Sequence, residues 1–211
     1  MDKIALLILI AILIVGGFLR IYGLDKSPPS LNWDEASLGY NAYSILKTGS
    51  DEYGKFLPIF IRSFDDYKSA LPVYLAIPFI QLFGLNEVGV RMLSAVVGVL
   101  TILLVYFIAA RLSKVWQVGL LSAFFFAISP YSVFFSRALF EANIALALFL
   151  LGLLFFLYKE RKKFLVLATI FFVLSMYTYH SYKVLLPLFV SILVAISAKQ
   201  IINEKKRLLR I

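Results

Sequence analysis

The chain has no cysteine, a single histidine and few acids: 12 Asp and Glu against 21 Lys and Arg in 211 residues. Without cysteine there is no disulfide framework and no thiolate metal centre. One histidine, His180, excludes a multi-histidine metal site within one chain. No Walker loop, Gly-rich nucleotide fingerprint or Ser-His-Asp pattern occurs, and no segment offers a domain for a nucleotide. Polar sequence itself is scarce. Hydrophobic residues make up 62% and the mean hydropathy is +0.90, whereas soluble domains are about 45–50% apolar.

What is there is apolar sequence in long runs. Six segments read as membrane spans: residues 4–24, 88–110, 115–130, 138–158, 164–182 and 184–198. A span needs about 20 residues, so the third and sixth are short and rely on tilt or on snorkelling flanks such as Lys183 and Lys199. The first reads as a retained signal-anchor, because its leading region holds only Lys3 and no small-x-small cleavage site follows before Arg20. The expected fold is an all-α polytopic membrane protein of six transmembrane helices.

Lys and Arg set the orientation. With the N-terminus cytoplasmic, the inner side holds 12 basic residues and 3 acids, and the outer side balances. The whole excess of +9 is therefore a topology signal at the cytoplasmic face, and a nucleic-acid partner is excluded. Both termini are expected inside, in a cell (plasma or inner) membrane. Residues 1–200 form the membrane module. Residues 201–211 form a basic tail whose Lys205, Lys206 and Arg207 are placed at anionic lipid headgroups.

Residues 25–87 form an outer loop, the one sizeable polar part. Ser27-Pro28-Pro29-Ser30 ends the first helix, and Asn32 with Glu35 makes a capping box for a second helix over about 33–47, closed by Gly49. A second juxtamembrane helix is expected at about 67–84. Its apolar part, 70–83, contains Pro72 and Pro78 and is too short and broken to span, so it reads as re-entrant or interfacial.

Topology gathers Asp34, Glu35, Asp65, Asp66, Lys68, Arg91, Arg137, Glu141, His180 and Lys183 at one face. Each has a plain reading beside a functional one. Asp34 and Glu35 suit a helix's first turn, yet adjacent carboxylates beside a bilayer are expensive unless used. Arg137 and Glu141, four apart, suit an intrahelical pair, or Arg137 binds a phosphate or a partner carboxylate. Lys68 suits a snorkelling lysine or a phosphate contact. His180 suits an aromatic belt.

Four stretches, in order, resemble the N-terminal half of GT-C membrane glycosyltransferases, nearest the protein O-mannosyltransferases and lipid A aminoarabinose transferases. They are Trp33-Asp34-Glu35 with the helix after it, Asp66-Tyr67-Lys68 leading into Pro72 and Pro78, Val90-Arg91-Met92 with Gly98, and Ser136-Arg137 with Glu141 and Asn143, then Tyr179-His180. The resemblance implies an inverting transfer of a sugar from a polyprenyl-phosphate donor to an extracytoplasmic acceptor. Asp34, supported by Glu35, would be the catalytic base or the ligand of a divalent metal. Lys68, Arg91 and Arg137 would bind the donor phosphate, with Asp66, Glu141 and His180 supporting. Membrane lipids are the expected surroundings, and a second chain is an expected source of the later helices that full members carry. Where close relatives have Pro-Pro after the lysine, this chain has Ser69-Ala70, which is expected to loosen the helix start. Two rivals stand beside this reading: a non-catalytic lipid-phosphate binder or assembly fragment, and a small transporter.

Overall fold

The computed structural model describes residues 3–159 and 161–208. The chain is mostly helical, in the order α1 (Lys3–Ile21), α2 (Trp33–Thr48), β1 (Phe60–Ser63), β2 (Asp66–Ser69), α3 (Leu71–Phe83), α4 (Glu87–Ser113), α5 (Trp116–Ile128), α6 (Pro130–Ser136), α7 (Glu141–Phe156), α8 (Lys162–Thr178) and α9 (Tyr182–Leu208).

The two strands correct the all-α expectation. Phe60–Ser63 and Asp66–Ser69 pair antiparallel, with Ile61 opposite Lys68, around a two-residue turn in which Phe64 has φ 55°. Ile61 and Ser63 point inward and Phe60 and Arg62 outward. That alternation is the strand period, hidden in a loop without an Asn-Gly signal. The second juxtamembrane helix accordingly starts at Leu71, not near residue 67. Ser69 Oγ accepts the Leu71 N–H at 3.3 Å, and Pro72 sits in the first turn, so serine and one proline start the helix in place of Pro-Pro.

Among the described residues two helices, α1 and α4, are long and apolar enough to cross a membrane, or three spans if the bent pair α5–α6 counts as one. The third, fourth and fifth expected spans come out shorter, as α5, α7 and α8. The third ends as α5, and α6 follows it after Ser129 at a bend of 63°; residues 137–140 separate α6 from α7, and α7 ends at Phe156. With 13 residues, α3 is about 20 Å long, well under the roughly 30 Å of a hydrocarbon core.

Arg20 explains how the α5–α6 break is tolerated. Pro130 has no N–H, so the carbonyl of Phe126 four residues earlier loses its helical donor. The fully buried Arg20 side chain supplies it: Nη2 donates to Phe126 O (3.3 Å) and Ser132 Oγ (2.6 Å). Its Nη1 donates to Ala127 O and Gly16 O, both 2.9 Å, and Nε to Ser136 Oγ at 3.3 Å. All five guanidinium N–H groups are used. The approach requires Gly98 on α4, where an added Cβ would lie 2.2 Å from Ser136 Oγ and 2.9 Å from Arg20 Nε.

Three apolar clusters hold the helices. Leu9 and Ile12 of α1 pack with Ile102, Tyr106 and Leu120. Ala168, Phe172 and Leu186 join α8 to α9. The third cluster carries the polar elements: Leu38 and Ile45 of α2 and Val73 and Ile80 of α3 lie on Val90, Leu93, Leu139 and Ile144. Burying each such side chain contributes about 1.5–3 kcal/mol. This cluster therefore fixes α2, the hairpin and α3 over the ends of α4 and α7.

Candidate functional site

The first turn of α2 is set by local chemistry. Asn32 Oδ1 accepts the Glu35 N–H at 2.8 Å, and Glu35 Oε2 accepts the Asn32 N–H at 3.1 Å, completing the capping box. Gly49 closes the helix with φ 72°, a left-handed conformation that glycine adopts without Cβ cost. Consecutive helical residues point about 100° apart, so capping by Glu35 turns Asp34 to a different face.

Glu35 is buried and multiply bound. Its Oε1 accepts from Arg91 Nε at 2.9 Å and from the Leu139 N–H at 3.2 Å. Arg91, fully buried, gives its other N–H groups to the carbonyls of Leu24, Pro28 and Ser30 and to Glu35 Oε2. One ion pair thus ties α4 to the chain after α1, to α2 and to the start of α7.

Asp34 faces a cavity of about 570 Å³ between α2, β2, the α6–α7 junction and the α8–α9 turn. Lys68 Nζ donates to Asp34 Oδ1 and lies 3.6 Å from Glu141 Oε1. The Asp34 side chain is 38% exposed, against 11% for Lys68 and 12% for Glu141. Asp34 is therefore the member an incoming molecule meets first. Asp66 and His180 also line the cavity, with Phe135, Phe140 and Tyr179 as apolar walls. A second cavity, about 310 Å³ and mostly aromatic, shares Phe135, Ala142 and Tyr179 with the first and continues past Tyr131 and Tyr182. The polar chamber thus adjoins an apolar one that reaches the α5–α6 bend.

Five of the residues singled out in the sequence meet here: Asp34, Asp66, Lys68, Glu141 and His180. The other five, Glu35, Arg91, Arg137, Asp65 and Lys183, do not line the chamber. Glu35 and Arg91 are joined behind it. Arg137 is not in α7 with Glu141 but caps α6, and its five N–H groups go to the carbonyls of Leu19, Tyr22, Gly23 and Ser27. Those carbonyls at and beyond the end of α1 carry negative partial charge, which a planar cation suits. The expectation that Arg91 and Arg137 point at a phosphate thus meets saturated guanidinium groups. Asp65 turns outward with Arg62 at the hairpin tip (3.4 Å), and Lys183 is exposed outside the chamber lining.

Sequence reasoning missed Arg20, although a lone cation within an apolar run is itself a signal. It also missed the link from Asn143 Nδ2 to Ser94 O (3.0 Å) and Oγ (2.9 Å), which joins α7 to α4 behind the chamber. The donor set does not fit a metal. Lys68 occupies Asp34, and among the described residues no group of three His, Cys, Asp or Glu converges to hold an ion.

Apolar helices around a bipartite cavity, polar in one part and aromatic in the other, mark a membrane protein. Residues 68–211 match the dolichyl-phosphate-mannose-protein mannosyltransferase family, and the chain belongs to that family, a group of membrane glycosyltransferases of the GT-C type. No curated protein and no solved structure matches the chain.

Proposed function

We propose that this chain carries the donor-binding site of a glycosyltransferase that moves a sugar from a polyprenyl phosphate to an acceptor hydroxyl outside the cytoplasm, with inversion at the anomeric carbon. The observation that carries the reading is the meeting of Asp34, Lys68 and Glu141 in one chamber beside an aromatic cavity. The carboxylate of Asp34 takes the proton of the acceptor hydroxyl as its oxygen attacks the anomeric carbon. The bond from that carbon to the phosphate oxygen breaks, and the oxygen leaves with the electron pair. The Lys68 ammonium stabilises the charge that develops there. The first isoprene units lie against Phe135, Tyr179 and Tyr182.

Glu35 and Arg91 act here as positioning residues. The pair holds the first turn of α2 so that Asp34 stays beside Lys68. Arg137 likewise anchors the end of α1. The chamber carries three carboxylates, Asp34, Asp66 and Glu141, against one ammonium. The imidazole of His180 lines it as well. Sidedness follows the positive-inside reading, with six spans, two juxtamembrane helices and both termini inside.

The test is transfer by the liposome-reconstituted chain, alone and with the family's later helices supplied as a second chain. Asp34→Asn is expected to reduce transfer about 10²- to 10⁴-fold while the protein remains inserted and still binds polyprenyl phosphate. Lys68→Ala is expected to weaken that binding. An unchanged transfer rate in Asp34→Asn removes the base from the mechanism. Intact binding without any turnover favours a lipid-phosphate binder.

A further inference from the structure

A second amphiphilic site lies at the other end of α7, where it turns into α8. A cavity of about 480 Å³ opens there between Leu154, Phe155, Tyr158 and Phe164, with Arg161 on its rim. That volume falls within the roughly 300–1,000 Å³ of small-molecule sites. The walls are rigid aromatic surface, since the rings of Phe155 and Phe164 stack at 5.8 Å with 16° between their planes. Cations gather at the mouth. The Arg111 guanidinium, from the end of α4, lies 4.6 Å over the Tyr158 ring, and Lys163 Nζ lies 5.2 Å over the Phe164 ring. Between Glu141 and Glu204 the sequence has one acid, Glu160, against Lys159, Arg161, Lys162, Lys163, Lys183 and Lys199.

Arg161 differs from the arginines that hold the helices together. Arg20, Arg91 and Arg137 each have every N–H group engaged. Among the described residues no side chain is paired with the exposed Arg161 guanidinium. A free planar cation above an apolar slot matches a ligand with a phosphate head and a hydrocarbon tail. Arginine binds phosphate through a fixed two-pronged fork and is weakly hydrated, so it yields its water readily. A soluble anion would leave the aromatic slot unused. A zwitterionic lipid would bring its own ammonium to a mouth that is already cationic.

We infer that the α7–α8 turn is a binding site for one anionic phospholipid, its phosphate on Arg161 and Arg111 and an acyl chain in the slot beside Leu154 and Phe164. Basic pockets between membrane helices recognise acidic headgroups through this combination of charge and apolar depth. The site shares no residue with the Asp34–Lys68 chamber and does not depend on the transferase reading.

The experiment is native mass spectrometry of the whole chain released from nanodiscs of equal phosphatidylglycerol and phosphatidylcholine. The wild type is expected to retain one phosphatidylglycerol in preference to phosphatidylcholine. Arg161→Ala, at an exposed position, is expected to lower that retention about tenfold. Leu154→Trp fills the slot while keeping every charge, and the same loss is expected, with helicity unchanged by circular dichroism. Equal retention of the two lipids, or undiminished phosphatidylglycerol in both variants, overturns the proposal. So does displacement by inorganic phosphate alone, which would mark a simple anion site.

Discussion

Arg91 Nε lies 2.9 Å from Glu35 Oε1, and both side chains are almost wholly withdrawn from solvent. Glu35 also caps α2 and takes the Leu139 N–H. The residue just before it, Asp34, therefore inherits a fixed direction from a network it does not belong to. Adjacent acids divide the labour: one is structural and buried, the other open to the chamber.

Removing one partner of that pair leaves the other as an uncompensated buried charge. Glu35→Ala is expected to destabilise the protein by about 3–5 kcal/mol. Glu35→Gln, which keeps the capping oxygen, should lose less. Thermal melting in detergent checks both, and donor binding at a temperature where each variant is folded reports whether Asp34 and Lys68 remain aligned.

Lys68 is shared by Asp34 and Glu141, so its charge is partly neutralised before any phosphate arrives. Glu141→Gln is expected to tighten polyprenyl-phosphate binding about two- to fivefold, the range of a partly exposed ion pair. Isothermal titration with the reconstituted protein measures it. Weaker binding in Glu141→Gln would show that Glu141 holds Lys68 in place and does not compete for it.

Arg20 satisfies two carbonyls at the α5–α6 break and two serine hydroxyls. Arg20→Ala leaves those groups without their donor, each at a cost of about 1–3 kcal/mol. The variant is expected to unfold at markedly lower denaturant. Arg20→Lys should rescue it only in part, because a compact ammonium cannot reach acceptors spread around a planar fork.

Lys68 already sits on Asp34. Chelation of divalent ions with EDTA is therefore expected to leave sugar transfer unchanged. Loss of transfer on chelation, restored by adding a single divalent metal, would move Asp34 from base to ligand.

Much of this molecule was legible in local sequence. Asn32, Glu35 and Gly49 mark the start and stop of α2 because capping acts over three or four residues. The hairpin was not legible. Its turn places Phe64 at positive φ without a glycine or asparagine, and its inward residues Ile61 and Ser63 are fixed by what lies beneath them. The spacing of Arg137 and Glu141 suggested a single helical face. In the fold, Arg137 turns back to the carbonyls after α1, the chain unwinds over residues 137–140, and Glu141 opens a new helix toward Lys68.

Sequence alone determined the apolar runs, the basic asymmetry, the cap of α2 and the set of ionisable groups gathered at one end. Each depends on composition or on neighbours within a turn. Tertiary structure alone decided which cation faces the chamber. Three arginines, two of them buried and Arg137 half-buried, are taken up by backbone carbonyls, serines or Glu35 with all five donors filled, while Lys68 is left facing Asp34 in the chamber. That allocation depends on contacts between residues roughly 35 to 120 positions apart, which no local pattern encodes.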